Sequence, residues 1–214
     1  INRSGKEVIK PQYDMAYPFS DGMAVVVKKG TYKIINEKNK TLYTFDNDFK
    51  SYSCFTEGFL KIETPNGFTF MDKHFNICDK TFYSVSEFSE SKALVLNVVD
   101  SKYVYNFLDT SFNLIFTNEL ESYDYVESYH SGLAKVGYYK GDNYLYSYIK
   151  TDGSVLVDEN GNSEFEVART FHDGKAIVFT GQIYYSWYSS TDIWIADYYS
   201  YQYLNSDGTY YDYD

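Results

Sequence analysis

Short runs with a period of two dominate the chain. In Tyr32-Lys33-Ile34-Ile35-Asn36, Phe68-Thr69-Phe70-Met71-Asp72, Tyr105-Asn106-Phe107-Leu108-Asp109, Tyr146-Ser147-Tyr148-Ile149-Lys150 and Tyr201-Gln202-Tyr203-Leu204-Asn205, large apolar residues stand two apart with a polar residue between them. That is the spacing of a half-buried strand and not of a helix. Each run follows a second mark: an aromatic, five residues, another aromatic, then an acidic, glycine or serine turn leading into a second apolar run. The copies are Tyr13…Phe19-Ser20-Asp21-Gly22-Met23-Ala24, Phe49…Phe55-Thr56-Glu57-Gly58-Phe59-Leu60, Phe82…Phe88-Ser89-Glu90-Ser91-Lys92-Ala93, Tyr123…Tyr129-His130-Ser131-Gly132-Leu133-Ala134 and Phe165…Phe171-His172-Asp173-Gly174-Lys175-Ala176. The second aromatics step by 36, 33, 41 and 42 residues.

Recurrence at this period marks a repeat protein. Each unit predicts three strands, as in Met23–Lys28, Tyr32–Asn36 and Thr41–Phe45 of the first. Tight turns join them at Lys29-Gly30, Pro65-Asn66-Gly67, Asp100-Ser101 and Lys140-Gly141-Asp142-Asn143, with Asn66-Gly67 as the strongest hairpin signal. Gly153, Gly208 and Asn39, with Phe75-Asn76 and Phe112-Asn113 at the same place, predict a turn after each second strand. The chain reads as a single all-β repeat domain over 1–214. Residues 1–12 form a partial leading unit with a strand at Lys6–Lys10, and repeats follow at 13–48, 49–81, 82–122, 123–164 and 165–214. One three-stranded unit cannot bury its aromatic face alone, so neighbours must stack. The expected fold is a set of tandem antiparallel units stacked as an open curved array, with a five-bladed β-propeller as the alternative. A third strand of the last unit's own at Thr209–Tyr213 favours the array.

The patterns Tyr13-Asp14…Phe19-Ser20-Asp21-Gly22-Met23-Ala24-Val25-Val26 and Ile1-Asn2-Arg3-Ser4-Gly5-Lys6-Glu7-Val8-Ile9 resemble the WG-repeat (KWG-repeat) proteins of bacteria. So does Tyr123-Asp124-Tyr125-Val126…Tyr129-His130-Ser131-Gly132-Leu133-Ala134-Lys135-Val136. The likeness covers nearly the whole chain, with Gly181–Tyr199 as the main insertion. The Trp-Gly pair of that family is absent: Tyr32, Phe68, Tyr105, Tyr146 and Tyr201 fill the Trp position, and Lys33, Thr69, Asn106, Ser147 and Gln202 the Gly position. The resemblance implies no catalytic residues, and a binding role in an exported or surface-associated bacterial protein.

Composition sharpens this picture. The 214 residues include 26 Tyr, 16 Phe and 2 Trp, outnumbering the 38 Ile, Leu and Val, so the core must be largely aromatic. A net charge of -11 opposes binding to nucleic acid or anionic lipid. No apolar run is long enough for a membrane-spanning helix. The chain opens at Ile1-Asn2 inside a repeat unit, as expected of a mature product or a trimmed chain, from which an export signal could have been removed. Cys54 and Cys78 lack CxxC spacing and are expected as free, partly buried thiols, a disulfide being the alternative.

Chemistry is sparse. There is no phosphate-cradling loop, HExxH or GxSxG, and no cofactor is expected. His130 and His172 share one repeat position with Ser20, Thr56 and Ser89, which points to a polar turn and not to a metal ligand. Asp21, Glu57, Glu90 and Asp173 precede Gly or Ser in turns, where carboxylates cap backbone amides. Asp207-Gly208 with Asp212 and Asp214 lacks the spacing of a calcium loop.

The departure from the repeat is the insertion in the fifth unit. It holds both tryptophans, Trp187 and Trp194, among Tyr184, Tyr185, Tyr188, Tyr198 and Tyr199. Insertions in repeat proteins map to loops that often bind, and Tyr and Trp supply contact area with a polar handle. The alternative is that the same hairpin caps the end of the array and protects its last edge strand, and one element could do both. The expected role is a non-catalytic scaffold binding a protein partner at the bacterial cell surface through Tyr184, Tyr185, Trp187, Tyr188, Trp194 and Tyr198. A glycan-binding module using the same aromatics is the alternative, and an acid–base glycosidase the remotest.

Overall fold

The computed structural model describes residues 4–46, 48–50, 53–116, 120, 122–179 and 201–211 in full, and 183–188 and 193–198 as backbone strands. All regular structure among them is β. Repeat one contains β1 (Met15–Ala16), β2 (Met23–Lys28), β3 (Thr31–Asn36) and β4 (Thr41–Thr44), and repeat two β5 (Phe59–Thr64) and β6 (Gly67–Asp72). Repeat three holds β7 (Ser84–Val85), β8 (Lys92–Val99) and β9 (Lys102–Asp109). Repeat four holds β10 (Tyr125–Val126), β11 (Leu133–Lys140) and β12 (Asn143–Lys150). Repeat five contains β13 (Lys175–Phe179), β14 (Ile183–Tyr188), β15 (Ile193–Tyr198) and β16 (Tyr201–Asn205). Every pairing is antiparallel, and among the described residues no sheet closes into a barrel, consistent with an open repeat array.

The recurrent acidic-glycine step is a tight turn. Asp21 and Gly22 have φ of 52° and 73°, and Glu57-Gly58, Glu90-Ser91, Ser131-Gly132 and Asp173-Gly174 repeat the pair of positive values. Two consecutive positive φ angles make the turn whose twist matches the flanking strands. The residue before it pairs with the residue after it in all five copies, as in Ser20 with Met23 and His130 with Leu133. Two carboxylate or hydroxyl side chains at this position also reach the turn of the next repeat. Glu57 accepts hydrogen bonds from the backbone N–H of Glu90 and Ser91, and Ser131 accepts one from Gly174. The expected amide capping therefore runs across a repeat boundary at Glu57.

The residue closing each early second strand makes the next turn. Asn36, Asp72 and Asp109 each accept two backbone N–H bonds from residues two and four ahead. In repeats four and five that job passes to Asp152 and Asp207, which accept from Ser154 and Thr209. Phe75 and Phe112 take φ of 68° and 64° there, unusual for bulky residues. Their rings pack back onto Tyr43 and Phe59.

Three local expectations change. The third strand is regular only in repeat one; in the others it shrinks to bridges such as Met71 with Ile77 and Leu204 with Tyr210. In repeats two and four the next aromatic anchor bridges the same second strand, Phe82 with Phe68 and Phe165 with Tyr146. Lys6–Lys10 form no strand. In repeat two, Thr64 pairs with Gly67, so Pro65-Asn66 and not Asn66-Gly67 sit at the turn's centre. Proline presets the negative φ that the first central position needs, and Gly67 instead takes φ 127° against the backbone of Phe82. An added strand also appears between the two anchors, as β1 on β2, β7 on β8 and β10 on β11.

The chain divides into two compact units, Ile1–Ile115 with repeats one to three and Phe116–Asp214 with repeats four and five. Within each, alternation along the hairpins gives two apolar faces. Ala24, Val26 and Ile35 form the leading face of repeat one, and Leu60/Ile62/Met71, Ala93/Val95/Leu108, Ala134/Val136/Ile149 and Ala176/Val178/Leu204 are its counterparts; all are buried. The opposite, trailing face of repeat one (Met23, Val25, Ile34) packs on the leading face of repeat two. Phe59 and Phe70 of repeat two pack likewise on repeat three, and Leu133 and Tyr148 of repeat four on repeat five. The aromatic surplus is spent in these layers. Cys78 lies in the second of them and Cys54 is half-buried, and neither forms a disulfide.

Candidate functional site

Repeat five carries its insertion at the tip of its own hairpin. β13 pairs with β16 from Lys175 opposite Asn205 to Phe179 opposite Tyr201, the register used by the other repeats. The intervening chain returns on itself as β14 and β15, paired from Ile183 opposite Tyr198 to Tyr188 opposite Ile193. Trp187 stands directly opposite Trp194, Tyr184 opposite Asp197 and Tyr185 opposite Ala196. Register thus brings all six candidate binding residues onto one two-stranded ribbon. Among the described residues, neither β14 nor β15 pairs with a further strand. Tyr199 lies outside the described residues.

A second constellation, not anticipated from the sequence, surrounds Glu127. Its Oε1 accepts from the Tyr125 hydroxyl at 2.5 Å and lies 3.0 Å from Lys135 Nζ, while Oε2 accepts from Thr170 Oγ1 at 2.6 Å. Lys135 Nζ also sits 5.6 Å from the centre of the Tyr125 ring and 5.4 Å from that of Tyr146, a cation held over two aromatic faces. Lys135 falls at the middle of the trailing face, where repeat one has Val25, so its charge needs a partner there. The sequence signal was the break in the apolar run at Leu133-Ala134-Lys135-Val136. Burial pushes the Glu127 carboxyl up, and the hydrogen bonds from Thr170, Tyr125 and Lys135 outweigh it and hold the group below its ordinary range.

The third polar site is Asp158. It is buried, accepts from the backbone N–H of Asn160 and Asn162, and takes a 2.5 Å bond from the Tyr210 hydroxyl. Asp158-Glu159-Asn160-Gly161-Asn162 is a further copy of the turn made by Asp72 and Asp109, lodged in the link between repeats four and five. Burial again raises the carboxyl, and the bonds from Tyr210, Asn162 and Asn160 lower it further than burial raises it.

These sites bear on the chemistry available. A general acid needs a carboxyl held protonated near neutral pH. Among the described residues, each carboxyl displaced from its ordinary range is displaced downwards. His130 and His172 are exposed and hold turns through reciprocal backbone bonds with Leu133 and Lys175. Among the described residues no three His, Cys, Asp or Glu side chains are grouped to hold a metal ion. Asp207 is engaged by Thr209, and Asp212 and Asp214 lie outside the described residues. Among the described residues no helix is long and apolar enough to cross a membrane.

Stacked β-hairpin repeats carrying an inserted ribbon define an all-β repeat architecture. The family model described as "WG containing repeat" matches residues 1–32, and this match supports membership of a WG-repeat family. No curated protein matches the chain. Among solved structures, the tricorn protease is similar at 10% identity and a TM-score of 0.40, over 87% of this chain and 20% of that one. This chain therefore spans about one-fifth of the protease chain. A protein of unknown function from Bacteroides caccae is similar at 10% identity and a TM-score of 0.32, over 91% of this chain and 78% of that one.

Proposed function

We propose that the chain is a non-catalytic repeat scaffold of the bacterial cell surface that binds a protein partner through the β14–β15 ribbon. The observation that carries this is the ribbon itself. It interrupts a hairpin whose register is otherwise that of its neighbours, and it gathers both tryptophans and four tyrosines on two paired strands. Aromatics of this kind dominate binding energy at protein interfaces, and strands with open edges can accept a further strand. The enclosed carboxylates support the non-catalytic reading, because their lone pairs are already used by neighbouring donors.

The test is capture from a bacterial surface extract by the immobilised chain, beside the Trp187→Ala/Trp194→Ala double variant. A specific protein retained by the first and lost by the second supports the proposal. Equal capture by both removes the ribbon from it, and turnover of a substrate by the chain would overturn it altogether.

A glycan ligand is the second reading. It draws on the pairing of Trp187 with Trp194, since aromatic surfaces suit the apolar faces of sugars. Binding on a glycan array that the double variant abolishes would select it over a protein partner.

A further inference from the structure

The trailing faces of the repeats do not all carry the same chemistry. One first-strand position lies opposite the middle of the second strand. It is Val25, Leu94 and Ile177 in repeats one, three and five, opposite Ile34, Phe107 and Tyr203. In repeats two and four it is a lysine, with Lys61 opposite Phe70 and Lys135 opposite Tyr148. Each lysine meets a carboxylate, but the two carboxylates come from different places. Glu127 stands two residues before Tyr129, the second anchor of the same repeat as Lys135. Glu87 stands one residue before Phe88, the second anchor of the repeat that follows Lys61.

A hydroxyl completes each cluster, and it changes side as well. Thr170 precedes Phe171 as Glu87 precedes Phe88, and Ser53 stands two residues before Phe55 as Glu127 does before Tyr129. Between repeats four and five the three groups are joined. Glu127 Oε1 lies 3.0 Å from Lys135 Nζ, and Oε2 accepts from Thr170 Oγ1 at 2.6 Å. Between repeats two and three, Glu87 Oε1 lies 3.5 Å from Lys61 Nζ. Glu87 Oε2 and Ser53 Oγ are the two buried side-chain atoms among the described residues that have no hydrogen-bond partner. They are the counterparts of the two atoms that bond to each other in the other cluster. Between repeats one and two the same three positions hold Val25, Tyr17 and Cys54, and no charge.

We propose that lysine, carboxylate and hydroxyl form one docking key, used at both boundaries with carboxylate and hydroxyl exchanged, and that a bound water joins Ser53 Oγ to Glu87 Oε2 between repeats two and three. Buried polar atoms in native proteins have a partner in the protein or in ordered water, and a buried water needs at least two such atoms. Water also reaches this cluster more readily than the other. The side chains of Lys61 and Glu87 are 32% and 38% exposed, against 11% and 20% for Lys135 and Glu127. The key selects by exclusion. A neighbour that brings the wrong group leaves Lys61 without its carboxylate, or sets a second carboxylate beside Glu127.

Urea unfolding of the intact chain tests the bridge and the exchange. Ser53→Ala and Glu87→Ala should each raise the unfolding constant, and the double variant should fall short of their product at least fivefold, since both remove one bridge. Glu87→Thr should raise the unfolding constant at least tenfold. Adding Ser53→Glu to it rebuilds the arrangement of repeats four and five and should recover most of that loss, whereas Ser53→Glu alone should destabilise. Selection is read separately. Ser53→Ala/Lys61→Leu/Glu87→Leu removes the key while keeping an apolar layer, and should unfold no more easily than wild type yet give more than one set of amide NMR signals around Phe70 and Phe88. Multiplicative losses in the cycle, an exchanged double variant no more stable than Glu87→Thr, or a single set of signals from the apolar triple variant would overturn the proposal.

Discussion

The hydroxyl of Tyr210 donates to Oδ2 of Asp158 at 2.5 Å, tying the last turn of repeat five to the link that precedes that repeat. The neighbouring backbone is equally close. Glu159 N–H donates to Gly208 carbonyl oxygen, and a Cβ on Gly208 would lie 2.4 Å from the carbonyl oxygen of Val157. This contact joins segments 52 residues apart in the chain.

Loss of either member should therefore loosen repeat five. A hydrogen bond to a buried charge contributes about 2 kcal/mol, so Tyr210→Phe should lower unfolding free energy by about that much. Asp158→Ala should cost more, since it also strands two backbone N–H groups. Because the folded carboxyl titrates below its ordinary value, the stabilisation is complete above the ordinary carboxylate range and disappears as pH falls through the folded value. Urea titrations across acidic pH should show a steeper decline in the wild-type chain than in Asp158→Asn.

Breaking the Glu127–Lys135 pair should be worse than removing it. Glu127→Ala leaves the Lys135 ammonium in a layer of aromatic side chains, a change expected to cost about 3 kcal/mol. A Glu127→Leu/Lys135→Met double variant should recover most of that loss. Chemical denaturation of the singles and the double gives the coupling directly. Glu127 also titrates low when folded, so its contribution too is lost on acidification and kept at neutral pH.

Two glycines should respond differently to alanine. At Gly30 (φ 76°) an added Cβ meets nothing within 4 Å, and only backbone strain of about 1 kcal/mol opposes it. At Gly67 (φ 127°) the Cβ would sit 2.3 Å from the carbonyl oxygen of Phe82, across the bridge that links repeats two and three. Gly67→Ala should cost on the order of 3 kcal/mol or more, read as a lower thermal midpoint.

The anchors make a similar pair. Phe88→Ala empties the site that Phe88 fills between Phe59 and Phe70 and should destabilise by about 3 to 5 kcal/mol. Phe19→Ala, at a side chain 44% exposed, should change stability by less than about 1 kcal/mol.

The repeat, the first two strands of each unit and most of the turns were legible because they are local. Alternation in Tyr32–Asn36 or Tyr146–Lys150 is a property of neighbours in the chain, and Asp21-Gly22 declares its turn through backbone preference alone. Even Asn36, Asp72 and Asp109 announce their turns, since the amides they cap lie within four residues. What the folded chain added depends on side chains meeting at long range. Alternation says that Phe19 and Phe88 are equivalent; it cannot say that one finds a neighbouring layer and the other stays exposed, because burial depends on what lies across the boundary. Glu127, Thr170 and Lys135 converge from segments up to 43 residues apart, and Asp158 meets Tyr210 over 52. Proximity of that kind leaves no spacing to read, because it follows from how the layers stack and not from the period of any one strand.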